Sequence, residues 1–141
     1  MRSIRRRLRR GSAATEFAVW LPLVMTMISG LVDFSWFMSR YQNVVRIARD
    51  SARTGSATYE QPLLDAPGSK VVPAAEAHAL EAFTMMNMDC YEPECTVNVT
   101  YREDPYNLLE VEIRYKYEPL IGLYKFDGNL YSKFVMLHEY Q

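Results

Sequence analysis

The feature that most restricts the fold is a run of sixteen residues without a charged side chain, FAVWLPLVMTMISGLV at positions 17–32. Apart from Asp33, the apolar character continues to Met38. A helix needs about 20 apolar residues to cross the hydrocarbon of a bilayer, so residues 17–38 are long enough to span one. The alternative is a core helix of a soluble protein, which is more often shorter and amphipathic. The sequence therefore predicts a membrane-spanning helix.

Charge is divided unevenly along the chain. The formal net charge of the 141 residues is −1, but six of the sixteen basic residues lie before Gly11. From Ser12 onward ten basic residues stand against seventeen acidic ones. A nucleic-acid-binding protein carries positive charge on its folded body, so this acidic body argues against nucleic acid as a partner. The arginines before the span, with no basic residue again until Arg40, predict a cytoplasmic amino terminus and an exported remainder.

The helix is predicted to continue beyond the span. A secretory signal peptide has an apolar stretch of about 7–15 residues and then a cleavage site, whereas this longer stretch leads directly into SRYQNVVRIARDSARTGS. In that segment Arg46 and Asp50 have the i,i+4 spacing of a helical ion pair. Spacings of four, three and four place four further residues on one helix face, namely Tyr41, Val45, Ala48 and Ala52. We expect one helix from about Ser12 to Arg53.

A small exported domain is predicted to follow this helix. Residues 54–72 are rich in turn formers and have no clear period, so they are interpreted as a connector. The segment PAAEAHALEAFTMMNM, residues 73–88, is predicted to be a short helix with Pro73 in its first turn. Its apolar side, which should pack on a sheet, carries Ala79, Leu80, Phe83 and Met86.

Strands are indicated where apolar and polar residues alternate with a period of two. This pattern occurs in TVNVTYR at 96–102 and in LLEVEIRYKY at 108–117. EDPYN at 103–107 is predicted to connect a hairpin, and FDGN at 126–129 to form a turn before a last strand, LYSKFVMLHEY. The fold class is therefore predicted to be α+β, with the long helix and one short helix covering one face of a small antiparallel sheet.

The two cysteines, Cys90 and Cys95, lie in CYEPEC. Export to an oxidising compartment favours a disulfide between them. A metal site that combines both thiols with His78 or Glu92 is the alternative, and it needs ligands whose convergence the sequence does not show. The spacing differs from that of a C-x-x-C redox centre.

The sequence gives little support to catalysis. Its six glycines form neither a G-x-G pattern nor a phosphate loop, and GSAAT does not match a nucleophile elbow. The two histidines, His78 and His138, are interpreted as surface or strand residues, and Glu110 and Glu112 fall on the solvent side of a predicted strand. Since no nucleophile and base can be argued together, we predict no enzyme, no metal and no cofactor.

Residues 10–53 carry an ordered set of features: Gly11 before small residues, Glu16 five residues later, the EFA and LP pairs, the stretch 30–34 and the ARDSAR tail. In this order they resemble the amino-terminal segment of the TadE-like family, minor pseudopilins of the tight-adherence (Tad/Flp) type IV pilus system. TadE and TadF share this kind of amino terminus, so the resemblance does not distinguish between them. It implies a single-pass protein of the bacterial inner membrane with a periplasmic carboxyl-terminal domain.

The resemblance also implies proteolytic processing. A prepilin peptidase is expected to cleave between Gly11 and Ser12 and to remove residues 1–11 as a basic leader. The freed α-amine of Ser12 is positive near neutral pH, and a carboxylate in a bilayer is costly without a partner. Glu16 is implied to pair with the amino terminus of a neighbouring subunit, which sets the register of assembly. From its position alone, Glu16 is equally a headgroup-level charge that favours the helix dipole.

Asp33 raises a similar question at the other end of the span. It lies about 25 Å of helix beyond Glu16, near the far edge of the hydrocarbon. One interpretation is an interfacial aspartate that reaches water. The other is a contact with an arginine of another pseudopilin, in a heteromer of TadE and TadF.

The expected organisation after the leader is a transmembrane helix at 12–38, its periplasmic continuation at 39–55 and a periplasmic α+β domain at 56–141. The resemblance implies a role in initiating or capping pilus assembly, with consequences for adhesion and biofilm formation. Implied partners are the inner membrane, the prepilin peptidase, a sister pseudopilin, the major Flp pilin, the inner-membrane platform and the motor ATPase. The competing hypothesis is a permanently anchored periplasmic binding or sensing module whose arginines are only an orientation signal.

Overall fold

The computed structural model describes residues 2–60, 65–103, 106–122 and 128–138, with side chains from residue 14 onward. The elements in these ranges are α1 (Arg2–Ser56), α2 (Val71–Met85), β1 (Cys95–Arg102), β2 (Leu108–Lys116) and β3 (Asn129–Leu137). The predicted α+β class is confirmed, because a long apolar helix and one short helix accompany a three-stranded antiparallel sheet.

The chain divides into two compact units, which are described one at a time. The first comprises Met1–Phe37 and Pro119–Lys125, and the second comprises Met38–Glu118 and Phe126–Gln141. In the first unit, α1 includes Pro22 without ending there. The Thr26 hydroxyl, one turn later, donates a 2.8 Å hydrogen bond to the Pro22 carbonyl oxygen. This bond satisfies the Thr26 hydroxyl within the helix, where an apolar medium would offer it no other partner.

In the second unit, α1 buries a narrow stripe of its surface. Five residues with the i, i+3, i+4, i+7, i+8 spacing of one helix face are fully buried: Val44, Ile47, Ala48, Ser51 and Ala52. The predicted face was only partly right, because Tyr41 is exposed and Val45 is half-buried. The stripe is centred on Ile47 and Ser51, and Tyr41 falls outside it. The predicted ion pair is present on the exposed side, with Arg46 Nε 3.7 Å from Asp50 Oδ2.

Helix α2 begins earlier than predicted and turns a different side inward. It begins at Val71, so Pro73 lies in the first turn, where a missing N–H costs no helical hydrogen bond. Two members of the predicted face were placed wrongly, since Leu80 is exposed and Met86 is half-buried after the helix end. The buried residues keep the four-residue period and are Val71, Ala75, Ala79 and Phe83. Phe83 stacks on Tyr115 of β2 with ring centroids 5.9 Å apart.

The sheet has the strand order β1-β2-β3, and both pairs of neighbouring strands are antiparallel. In its register Val97 faces Ile113, and Ile113 faces Ser132. The predicted alternation is confirmed on β2, where Leu109, Val111 and Ile113 are buried. The predicted connections EDPYN and FDGN lie partly outside the described residues, at 104–105 and 126–127. The last strand ends at Leu137, and residues 139–141 lie outside the described ranges.

The last turn of α1 packs closely against both α2 and β2. A Cβ atom on Gly55 would lie 2.5 Å from Leu109 Cδ2 and 2.9 Å from Ala75 Cβ. Both distances are shorter than van der Waals contact, so only a residue without a side chain fits. The absence of a side chain at position 55 therefore sets how closely these elements approach.

Candidate membrane and assembly site

Residues 17–34 of α1 present apolar side chains on all sides. Within Ala14–Ser56 the helix is long and apolar enough to cross a membrane, and nearly all of that apolar window is exposed. Exposed large side chains occur from Phe17 to Phe34 and include Trp20 and Leu31. A helix that is apolar all round is matched to a surrounding of lipid or other apolar helices. This helix suggests a single membrane anchor.

A shallow groove runs along one side of this helix at the proline. Pro22, Thr26 and Gly30 follow each other at spacings of four, and Val19, Leu23 and Met27 form the walls. Residues without bulky polar groups at this spacing permit close approach of a second helix in a membrane. The groove therefore offers a helix-sized contact surface within the predicted span.

The residues predicted at the processing site lie on α1. The backbone at Gly11 and Ser12 is helical, and Glu16 is exposed one helical turn beyond Ser12. Cleavage after Gly11 and pairing of Glu16 with a neighbouring subunit both stay predictions.

Asp33 is buried rather than exposed to water. Only 2% of its surface is exposed, and its Oδ1 accepts a 2.9 Å hydrogen bond from the backbone N–H of Ile121. The interpretation of an aspartate that reaches water was therefore wrong. Sequence reasoning missed this contact because its partner is a backbone group 88 residues away. The predicted contact with an arginine of another pseudopilin stays a prediction.

The predicted disulfide between Cys90 and Cys95 is present, with Cα atoms 4.9 Å apart. Cys95 is the buried first residue of β1, so the bridge closes a short ring before that strand. Both thiols are used in the bridge, which removes the alternative of a metal site built on them. Over the described ranges, the His, Cys, Asp and Glu side chains form no group of three that could hold a metal ion.

A buried carboxylate that sequence reasoning missed caps α2. Glu60 Oε1 accepts hydrogen bonds from the N–H groups of Lys70 (2.8 Å) and Val71 (3.1 Å), and Oε2 accepts one from Gly68 (3.1 Å). Lys70, at the N-cap position, makes no side-chain cap bond, so Glu60 satisfies these donors instead. No local signal could have shown this, because a capping box lies within four residues and Glu60 lies eleven before Val71.

The same geometry decides the ionisation of Glu60. Burial alone would raise the pKa of this carboxyl. The three backbone donors and the nearby His138 outweigh burial, so the pKa of Glu60 lies below its ordinary value. Glu60 is therefore a carboxylate at neutral pH, with an anionic charge near the positive end of α2.

The two histidines have structural contacts. His78 Nδ1 lies 3.3 Å from Ser51 Oγ, but Ser51 is fully buried, so its hydroxyl has no access to a substrate. His138 was expected to be a surface or strand residue; it is buried and directly follows the last residue of β3, so the surface alternative was wrong. Its Nδ1–H donates a 3.0 Å hydrogen bond to the Ser56 carbonyl oxygen, and its ring lies edge-on to Tyr101. Both rings tie the end of α1 to the sheet and to α2.

Comparison with known proteins gives a match at the amino terminus. A family model described as TadE-like protein matches residues 11–53. No curated protein matches the chain, and no solved structure matches it. The matched range begins at Gly11 and includes Glu16, Asp33 and the buried stripe of α1. The resemblance inferred from the sequence is thereby confirmed over these residues: positions 11–53 are similar to the TadE-like family, and this similarity suggests a role in Tad pilus systems.

Proposed function

We propose that this chain is a minor pseudopilin that assembles through α1 in a Tad pilus system. The observation that carries the proposal is the TadE-like match over residues 11–53, which includes the exposed apolar part of one long helix. Residues 1–11 would be a leader, 12–38 the transmembrane segment, 39–55 its periplasmic continuation and 56–141 the periplasmic domain.

Assembly would use the exposed apolar surface of α1 between residues 17 and 34. Before assembly, lipid surrounds the apolar side chains, and within a filament the helices of other subunits replace it. The groove at Pro22, Thr26 and Gly30 supports this step, because a second helix can approach closely there. The partners would be the major Flp pilin and a sister pseudopilin, delivered by the inner-membrane platform and its motor ATPase.

Glu16 would set the register of this assembly. Once cleavage frees the α-amine of Ser12, the amine of one subunit pairs with Glu16 of its neighbour. An unpaired charge of either sign is costly in a bilayer, so the paired offset is favoured over others. The chain would in this way initiate or cap the filament, with an effect on adhesion and biofilm formation. Asp33 would add an arginine contact to the sister pseudopilin.

Processing is the first test. Intact-mass analysis of the protein from its native host should find Ser12 as the first residue, and a host without the prepilin peptidase should give the uncleaved chain. A Gly11→Ile variant should also remain uncleaved, since a bulky side chain would hinder the peptidase. An amino terminus at Met1 or Arg2 with the peptidase present would contradict the proposal in favour of a permanently anchored periplasmic module.

The second test separates register from processing. Glu16→Val should still be cleaved, but piliation and co-purification with sister pseudopilins should be lost. Thr15→Val is the matched control, because it introduces the same side chain at the adjacent exposed position. Normal piliation by Glu16→Val would rule out the pairing role even with correct processing.

A further inference from the structure

The segment 119–122, which follows β2, presents apolar side chains to its surroundings. Its sequence is PLIG, without a charged residue. Leu120 is 59% exposed and Ile121 is 47% exposed. Gly122 has a φ of +71°, a conformation that suits glycine. Two adjacent large apolar side chains are therefore exposed in a bend of residues 119–122, which we call the turn.

This turn is held at a defined level of α1. The Ile121 N–H donates to Asp33 Oδ1, and both residues belong to the same compact unit. The neighbours of Asp33 along the helix are apolar and exposed, namely Leu31, Val32 and Phe34. Asp33 lies sixteen residues beyond Phe17, so about 24 Å of helix separates it from the start of the apolar run. The turn accordingly lies level with residues 31–34, in the carboxyl-terminal part of the span.

A hydrogen bond at this level meets two requirements of an apolar medium. Every backbone donor must be satisfied within the protein there, and a carboxylate is tolerated only with a partner. The Asp33–Ile121 bond meets both. A turn that stood in water would need no such acceptor, because water would serve its N–H group.

We propose that Leu120 and Ile121 insert into the bilayer leaflet at the carboxyl end of the span, as a second lipid contact of the same chain. The inference rests on the membrane anchoring in the proposed function. Lipid is the occupant because the turn is hydrogen-bonded to α1 at Asp33, whose neighbours Leu31 and Phe34 are exposed and apolar. In addition, residues 119–122 carry no charge that could pair with a protein partner. Asp33 is the positioning residue that fixes the depth of the turn.

Three leucines of similar exposure make a matched test. Leu120→Cys is labelled with an environment-sensitive fluorophore in the full chain, in vesicles of phosphatidylethanolamine and phosphatidylglycerol, without reductant so that the native disulfide stays intact. Leu31→Cys, at a helix position 67% exposed, is the lipid-facing control. Leu137→Cys, at a β3 position 58% exposed, is the control outside the span. Quenching is measured with lipids that carry a nitroxide near the headgroup, and with aqueous iodide.

The expected result is that lipid nitroxide quenches the probes at 120 and 31 to a similar extent, several-fold more than the probe at 137. If the probe at 31 is quenched but the probe at 120 behaves like the one at 137, the turn is in water and the inference fails while the anchor stands. If the probe at 120 is shielded from both quenchers, a protein covers it and the inference also fails. If even the probe at 31 is unquenched, the membrane anchoring fails and this inference fails with it.

The role of Asp33 is tested on the same readout. Asp33→Asn keeps an oxygen acceptor at Oδ1 and should preserve the quenching of the probe at 120. Asp33→Leu removes the acceptor and should reduce that quenching several-fold, while the probe at 31 stays unchanged. Equal quenching in both variants would show that Asp33 does not set the depth of the turn.

Discussion

Two stretches of α1 show opposite relations between sequence and surroundings. Residues 17–34 are almost entirely apolar and almost entirely exposed, whereas residues 44–55 are more polar and bury one complete stripe. Composition alone therefore does not decide where the core lies. The first stretch lacks a polar face and so has no preferred side toward its own chain. The second has an exposed side with Arg46 and Asp50 opposite its stripe, and only that contrast selects one face for packing.

Polar side chains follow the same division. Asp33 accepts a hydrogen bond from the backbone N–H of Ile121, within a unit where most side chains of the helix are exposed. Ser51 lies in the middle of the buried stripe and contacts His78. In the first stretch the Asp33 carboxylate is therefore bonded to the 119–122 turn. In the second stretch the Ser51 hydroxyl lies within a packed core.

The largest expected effect comes from one substitution made in each stretch. Ile47→Ala removes a fully buried side chain and should lower the free energy of unfolding by about 2–5 kcal/mol. Ile28→Ala removes the same atoms from a position 51% exposed and should leave that free energy almost unchanged. Urea unfolding of the full chain in nanodiscs, followed by tyrosine near-ultraviolet circular dichroism, measures both. Equal losses in the two variants would contradict the division of α1 into bare and packed stretches.

The second-largest loss of unfolding free energy should come from removing the Glu60 cap of α2. Glu60→Gln replaces one carboxylate oxygen by an amide N–H₂ and leaves a buried backbone donor without its acceptor, at a cost of about 1–3 kcal/mol. Glu81→Gln makes the same change at an exposed position of α2 and should have little effect. The same unfolding assay compares the two. A loss no greater than that of Glu81→Gln would mean that the cap contributes nothing to the packed region.

The stabilisation that Glu60 gives to α2 should depend on pH. The pKa of Glu60 is lower in the folded chain than in the unfolded one, so this group stabilises the fold fully above the unfolded pKa of about 4.3. The contribution is lost as the pH falls from there through the lower, folded pKa. The stability difference between the native chain and Glu60→Gln should therefore shrink over that acidic range. A difference that stays constant with pH would show that ionisation of Glu60 is not what stabilises the cap.

Loss of the disulfide should lower the free energy of unfolding by about 2 kcal/mol, because the chain-entropy model assigns only a small stabilisation to so short a ring. The double variant Cys90→Ser with Cys95→Ser tests this against the native chain. Reductant should destabilise the native chain by the same amount and leave the double variant unchanged. A further loss in the double variant on reduction would contradict this assignment.

The smallest effect should come from the exposed side of the packed stretch. Arg46→Ala breaks an exposed i,i+4 pair at 3.7 Å, and such pairs contribute about 0.3–0.5 kcal/mol. The difference should disappear at 1 M salt, where charges are screened within about 3 Å. A loss comparable to that of Ile47→Ala would mean that Arg46 does more than pair with Asp50.

The sequence predicted what depends on local period and missed what depends on distant contact. The alternation of Leu109, Val111 and Ile113 identified β2 because a strand face is a property of neighbouring residues. On α1, spacing alone selected Tyr41 and Val45 with two alanines. The buried stripe keeps those alanines and joins them to Val44, Ile47 and Ser51. Both sets fit a helical period, and only the packed partner distinguishes them.

The hydrogen-bond partners of two carboxylates could not be predicted from the sequence for the same reason. Asp33 and Glu60 were visible in the sequence, but each binds backbone N–H groups, which have no signature in the residue type. The pair Cys90 and Cys95, in contrast, was predicted correctly, because a chain with two cysteines has one possible intramolecular disulfide. A pairing can be predicted from sequence when both members are side chains of a type that occurs only twice in the chain, whereas a backbone N–H group occurs at almost every position.

The hydrogen bond from His138 to the Ser56 carbonyl has a mechanical consequence. It joins residues 82 positions apart across 3.0 Å, and Ser56 Oγ also lies 3.3 Å from the sulfur of Met136. A pull along α1 that reaches Ser56 would pass directly to the end of β3, without travelling through the intervening chain. The final strand, last in the sequence, would therefore be among the first parts of the sheet to bear a load from the helix.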